Sequence, residues 1–328
     1  MLKVKQEIIK WLKKNSIIIS TINPQENISD LLPLKEIIGS TTLVGLGEAT
    51  HGNKEFAQIK DQIFRFLVEE MGFDGIVIEV SEEPAKNIDK YIKTGKGNPK
   101  KLLSELGYWI TRTQEVLDMI EWMKNYNAKS SNRQLSFYGC DISMDDPRRK
   151  VDVSASERDK AMADNCIRFL KSKKDSKLIL WAHNTHIANL DIPNFKTTGA
   201  YLKDILGKQY INFGILFGEG SFSARRSDFK KQQTGEIDTF TFGKPKDDSY
   251  ASFFEQTGQS LSITDLRLIR SNPIFKSWQD YMYTVREVGS SFDPSEEDNF
   301  SQKIDLVNKY DGIIWIKKVT PSTVLNAS

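Results

Sequence analysis

The stretch LVGLGEATHG, residues 43–52, decides how the chain is read. It begins as an apolar run with the character of a buried strand and ends in a polar, glycine-containing turn. A dinucleotide-binding turn needs G-x-G-x-x-G. Gly45 and Gly47 fit that pattern, but Thr50 stands where the third glycine belongs and the next glycine is Gly52. A P-loop needs a lysine directly after its second glycine. Gly47 and Gly52 have the right separation, but Asn53 follows and Lys54 comes one position late. Neither phosphate-binding reading holds. The glycines are expected instead to let the chain turn sharply between strand and helix and expose Glu48 and His51.

Outward from this turn, short apolar runs alternate with helical patterns. Strands are expected at 42–48, 75–80, 134–141, 177–183, 211–218 and 312–318, with weaker signals at 221–225 and 237–243. Helices are expected at 3–15, 54–71, 83–93, 112–127, 155–173 and 198–206, with another near 299–309. The first four strong strands are separated by helices, and GIVIEV and KLILWA are nearly continuous in apolar character. Both features predict an α/β fold with a mainly parallel central sheet flanked by helices. A helical insertion at about 82–130 is expected beside the strand carboxyl ends, and an irregular, lid-like segment at about 265–300. With no linker or internal repeat, residues 1–328 are expected to form a single domain.

Lys plus Arg number 46 and Asp plus Glu 44. This near balance gives no electrostatic reason to expect nucleic acid or an anionic membrane as a partner. No apolar run is long enough to span a bilayer, so stable membrane insertion is not expected. Cys140 and Cys166 make no CxxC pair, which fits a reducing compartment and a cytoplasmic protein. No coiled-coil heptad is present, and the sequence assigns no oligomeric state.

All three histidines, His51, His183 and His186, fall at or just beyond the carboxyl end of an expected strand. So do Glu48, Glu79 and Asp141. Ligands of open parallel sheets bind at those ends, so strand direction alone brings these groups toward one cleft. Singly, each has an ordinary explanation. Glu48 can cap the following helix, and Asp141 the turn ISMDDP. Glu79 is harder to dismiss, because a carboxylate in an apolar strand needs a partner. No G-x-S-x-G elbow and no H-E-x-x-H pair occurs. Two chemistries remain open. In one, a histidine oriented by a carboxylate is general base on water. In the other, His51, His183 and His186 with Glu48 or Glu79 hold a divalent metal that activates the water.

GEATHGNKEF (47–56), the GF-x-x-I-x-x-E step from Gly72 to Glu79, and YWITRTQEVLDMIEWMKNYN (108–127) together resemble the erythromycin esterase family. The similarity continues in order through FYGCDI (137–142), ERDKAMADN (157–165), WAHNTHIAN (181–189), TGAYLKDILG (198–207), FGEGSFSAR (217–225) and DGIIWIKKVTPS (311–322). The resemblance implies a hydrolase that opens an ester, the macrolide lactone in the family's named case, with water as nucleophile. It makes His51 the general base, and Glu48 and Glu79 the groups that orient water and base. His183 and His186 would line the same pocket, stabilising the oxyanion or protonating the leaving alkoxide. Lys60 matches a basic residue lining the cleft, Glu55 an acid four residues past the histidine, and Arg158 and Asp159 an Arg-Asp/Glu step. Glu55, Lys60, Asp141 and Arg158 are therefore expected near the substrate. No cofactor is required by this reading, although family members differ in whether they need a metal. The helical region between Glu79 and Tyr138 is leaner than in the resistance enzymes, so other esters or amides are alternatives. So is a binding protein that holds a macrolide or polyketide without turnover.

Overall fold

A computed structural model describes residues 2–26, 28–130, 133–142, 154–270 and 272–326. Among these residues, ten strands form one sheet. They are β1 (Ile17–Ile18), β2 (Leu43–Leu46), β3 (Gly75–Ser81), β4 (Ser136–Asp141), β5 (Leu178–Trp181), β6 (Tyr210–Asp228), β7 (Gln233–Phe242), β8 (Leu261–Asp265), β9 (Ser291–Phe292) and β10 (Gly312–Val319). The principal order is β1-β8-β10-β6-β2-β5-β3-β4, with β7 and β9 also pairing with β6. From β10 through β4 every pairing is parallel. The antiparallel pairs β1–β8, β8–β10 and β6–β7 lie toward one side.

Both faces of the parallel part are covered, as the apolar runs require. Val44, Leu46, Ile76, Ile78, Ile179 and Trp181 join one buried cluster with α2 (Lys54–Met71), α3 (Glu82–Thr94) and α5 (Gln114–Lys129). The alternate residues Leu43, Val77, Leu178 and Leu180 join a second cluster on the other face. That cluster takes in α1 (Leu2–Asn15), α6 (Ala155–Lys171) and α8 (Thr198–Leu206). Local signals fix the helix ends. Gly72 stops α2 in the left-handed conformation (φ +74°), where a side chain would be strained. Ser154 and Glu157 form a capping box at the start of α6. Thr197 caps α8 through its hydroxyl.

The structure differs from expectation in four places. The runs at 211–218 and 221–225 are one 19-residue strand, β6, which leaves the parallel sheet and continues as a hairpin with β7. The helix expected near 299–309 shrinks to the single turn Leu306–Lys309, because 3₁₀ turns over Pro294–Phe300 and the strand Ser301–Lys303 precede it. The five-residue strand β8 and the short helix α4 (Pro99–Glu105) carry too little periodicity to be read in advance. Finally, Gly45, Gly47 and Gly52 do not adopt positive φ. Close approach explains Gly47 and Gly52 instead: a Cβ on Gly47 would collide with the Asn184 side chain, and one on Gly52 with the Ser223 backbone. The ISMDDP turn after Asp141 lies, from residue 143 onward, outside the described residues. Among the described residues, no helix is long and apolar enough to cross a membrane.

Candidate active site

Four adjacent parallel strands, β2, β5, β3 and β4, bring their carboxyl ends side by side. After β2 the chain delivers Glu48 and His51. Glu79 lies within β3, where the register against β4 shifts between Ile78 and Ser81. Asp141 ends β4, and His183 follows β5 as N-cap of the single-turn helix α7 (Asn184–Ile187), which carries His186. These side chains meet at an open cleft of about 1200 Å³ that includes His51, Glu79, Asp141, Arg158, His183 and His186 in its wall. Tyr108 and Ile110 from the helical region, and Gly289 and Ser290 from the segment before β9, complete its sides.

Three groups converge on the Glu48 carboxylate. His51 Nδ1 donates to Oε1 at 2.6 Å, while the Lys60 ammonium and the Trp181 indole N–H (3.2 Å) both reach Oε2. Lys60 also sits over the Trp181 ring, 4.0 Å from its centroid. Burial alone would raise the Glu48 pKa, but the charge of Lys60 and the His51 bond overcome it and hold the group down to about 2. Burial pulls Lys60 down to about 8, against the pull of Glu48. With its Nδ1–H committed to Glu48, His51 carries its lone pair on Nε2. That nitrogen has no hydrogen-bond partner among the described residues.

The other two imidazoles are held differently. His183 Nδ1 accepts from the Thr185 backbone N–H (3.3 Å), and Nε2 lies 3.2 Å from the Val288 carbonyl oxygen. Burial, aided by the proximity of His51, pulls His183 down to about 3, so it is neutral. His51 and His183 are neighbours, with ring centroids 5.2 Å apart. His186 lies between Asp159 (Nδ1 to Oδ1, 2.9 Å) and Glu79 (Nε2 to Oε1, 3.2 Å). Burial opposes its charge, but Glu79 and Asp159 win and raise it to about 10. His186 is thus an imidazolium at neutral pH. The Arg158 Nη1 found 3.3 Å from the same Nε2 is then a close approach of two donors.

Arg158 ties the acids together. Its Nε and Nη2 make a fork to Asp141 (2.9 and 2.7 Å), and Nη2 also reaches Glu79 Oε1 at 2.9 Å. The other Glu79 oxygen accepts the His183 backbone N–H at 3.0 Å. Burial would raise the Glu79 pKa, but His186 and the other nearby cations hold it well below the usual carboxylate range.

A protein-family model described as "Erythromycin esterase" matches residues 68–152 and 145–319. The chain belongs to the erythromycin esterase family. Membership supports a hydrolase as the coarse reading of the cleft. Among curated proteins, erythromycin esterase type II of Escherichia coli is 30% identical over 136 residues, 40% of this chain and 31% of that protein. The putative hydrolase YbfO of Bacillus subtilis (strain 168) is 26% identical over 176 residues, 53% of this chain and 38% of that protein. The chain therefore spans only about a third of the length of the curated relatives it matches. Among solved structures, a Bacillus cereus protein superposes with a TM-score of 0.85 at 24% identity, covering 98% of this chain and 99% of the other. A mutant of the erythromycin esterase EreC in its open conformation gives 0.70 at 14% identity, covering 93% and 98%. These likenesses establish the fold of an erythromycin esterase family member.

Six of the nine residues expected at the site, Glu79, Asp141, Arg158, His51, His183 and His186, share the cleft wall. Glu48 lies directly behind His51. The other two are placed elsewhere. Lys60 is fully buried beneath Glu48 rather than lining the cleft, because α2 is packed on almost all sides. Glu55 turns its carboxylate onto Thr320, accepting from both its N–H (2.7 Å) and its hydroxyl (2.6 Å). No group of three His, Cys, Asp or Glu side chains among the described residues has the convergence a metal ion needs. The ring nitrogens of His183 and His186 already face other partners. The donor set thus does not fit the metal alternative. Glu287, which nothing in the sequence singles out, places its Oε2 3.5 Å from His183 Nε2, and burial raises its pKa to about 8. It comes from a stretch with no periodic pattern, so no signal marked it.

Proposed function

We propose that this protein hydrolyses a carboxylic ester of a small molecule by activating water on His51 Nε2. One observation carries this reading. His51, a residue of the cleft wall, is fixed by a buried, ionised carboxylate through one nitrogen, and its other nitrogen has no hydrogen-bond partner among the described residues. In the reaction, Nε2 takes a proton as the water oxygen bonds to the ester carbonyl carbon. Glu48 then stabilises the imidazolium formed beside it. The carbonyl electrons move to oxygen, and the positive charge of Arg158 and His186 in the same cleft wall favours that oxyanion. When the carbonyl re-forms, the bond to the alkoxide breaks and the alkoxide recovers the proton from His51. Both nitrogens of neutral His183 are occupied, which suits it to shaping the wall rather than moving protons.

The family supplies the first substrate to try, a macrolide lactone, whose opening retains the whole molecule and adds one water. Incubation with a macrolide and with simple esters, followed by mass spectrometry, tests the proposal. A gain of one water on a lactone, or cleavage of a simple ester, is expected, with both lost in His51→Asn. Full turnover by His51→Asn would refute the assignment of the base.

A further inference from the structure

His51, Glu79 and Ile110 of the cleft wall also line a narrow neighbouring recess of about 430 Å³ measured out to open solvent. It is so narrow that only about one or two water molecules fit in it. Its wall includes Glu48, His51, Asn53, Glu79, Trp181 and Ser322. Two residues of that wall, Asn53 and Ser322, each carry a buried atom, Oδ1 and Oγ, with no hydrogen-bond partner among the described residues. Asn53 is 2% and Ser322 8% exposed, so bulk water does not satisfy them. The orientation of the Asn53 amide is set by its other end, whose Nδ2 donates to Ser221 O (2.9 Å) and Thr320 O (3.3 Å). Oδ1 is therefore an acceptor in want of a donor.

Ser322 is held there by the chain itself. Its N–H donates to Gly52 O at 2.9 Å, and Pro321 pairs with Asn53. The turn that carries His51 thus also positions both orphaned atoms. Leaving a buried polar atom unpaired costs about 1–3 kcal/mol, and the native remedy is a bound group that donates and accepts.

We propose that this recess is a binding site for one O–H group, which donates to Asn53 Oδ1, exchanges a hydrogen bond with Ser322 Oγ and lies next to His51. Two sources share this chemistry: an ordered water that supplies the base, or a hydroxyl of the substrate. The small size of the recess favours water. The role of the group in turnover rests on the ester-hydrolase reading, whereas its presence does not.

The test uses p-nitrophenyl acetate, whose acyl and leaving groups carry no free hydroxyl, and glycerol monoacetate, which has two. Ser322→Val removes the hydroxyl and fills the recess with methyl groups. If water is the source, kcat falls about tenfold or more on both esters, the scale expected when a reacting group is displaced, with KM held. If a substrate hydroxyl is the source, KM rises on glycerol monoacetate alone. Unchanged constants on both esters overturn the site. Should the valine variant fail to fold, a high-resolution crystal structure of the unaltered protein decides. An oxygen within hydrogen-bond reach of both Asn53 Oδ1 and Ser322 Oγ supports the site, and an empty recess overturns it. An unaltered protein that cleaves neither ester counts against the hydrolase reading on those substrates, and the crystal density still settles the recess.

Discussion

Lys60→Met removes the ammonium that lies under Glu48, and its cost can be worked from the two groups themselves. The Glu48 carboxyl falls from 4.5 to about 2. At about 1.4 kcal/mol per power of ten, this is about 3 kcal/mol in favour of the ionised carboxylate. Lys60 falls from 10.5 to about 8, about 3 kcal/mol against the ammonium. The two contributions oppose each other, so the intact pair adds little net stability. Removing one partner is another matter, because it strands a buried charge at a cost of about 3–5 kcal/mol. Lys60→Met is therefore expected to lower the unfolding free energy by that amount in urea titrations, and Glu48→Gln by a similar amount. The double variant should recover most of the loss, because no charge is left stranded. The signs of the pH dependence also differ. The Glu48 contribution is present above about 4.5 and is lost as pH falls toward about 2. The Lys60 penalty is present below about 8 and is relieved as pH rises toward about 10.5. Additive losses in the double variant, or a Lys60→Met variant within about 1 kcal/mol of the parent, would refute the reasoning.

The remaining predictions concern the three imidazoles and Arg158. In NMR titrations between about pH 5 and 8, where an unperturbed histidine changes charge, His183 should stay neutral and His186 protonated, as their pKa values of about 3 and about 10 require. The stability that His186 draws from Glu79 and Asp159 is full below about 6.5 and should disappear as pH rises through about 10, a loss visible in denaturation midpoints. Asp159→Asn removes one of its anionic partners, and the His186 resonance should then titrate at lower pH than in the parent. His51→Ala should abolish hydrolysis and, by leaving the buried Glu48 Oε1 without its partner, lower the unfolding free energy in urea titrations by about 1–3 kcal/mol. Arg158→Lys should depress kcat although charge is kept, because an ammonium cannot reproduce the fork to Asp141 together with the bond to Glu79.

What could be read in advance follows from direction and period. Strand direction alone put Glu48, His51, Glu79, Asp141, His183 and His186 at one end of a parallel sheet, and the sheet does bring them together. Lys60 escaped that logic. On a helix with one solvent face, a lysine points outward, but α2 buries Lys60, Asp61, Gln62 and Arg65 along with its apolar residues. Its polar residues consequently pair inside, as Arg65 does with Asp61 (2.7 Å). Glu55 escaped because its partner, Thr320, is 265 positions away in a segment with no pattern of its own. Glu287 was hidden for the same reason. Its neighbour Val288 is drawn to the site by a backbone bond from its N–H to Ala49 O, which no side-chain pattern encodes. At Gly47 and Gly52 of the opening turn, close packing rather than backbone conformation excludes a side chain, and composition alone does not distinguish the two.

The same locality explains why three histidines in one cleft are not interchangeable. Each is buried to a similar degree, with side-chain exposures of 9%, 10% and 13% for His51, His183 and His186. Burial alone would therefore treat them alike. Their neighbours separate them. His183 faces a backbone N–H and a carbonyl oxygen, dipoles that favour a neutral ring with Nε2–H. His186 is clasped by two carboxylates, which favour the cation. Of the three, only His51 combines a carboxylate on one nitrogen with a second nitrogen that has no hydrogen-bond partner among the described residues. A base in turnover has to accept a proton and later release it, so it needs a partner that stabilises its charged form and a free nitrogen on which to carry the proton. His183 lacks the first and His186 the second. That leaves His51 as the one imidazole in the cleft equipped for both halves of the cycle.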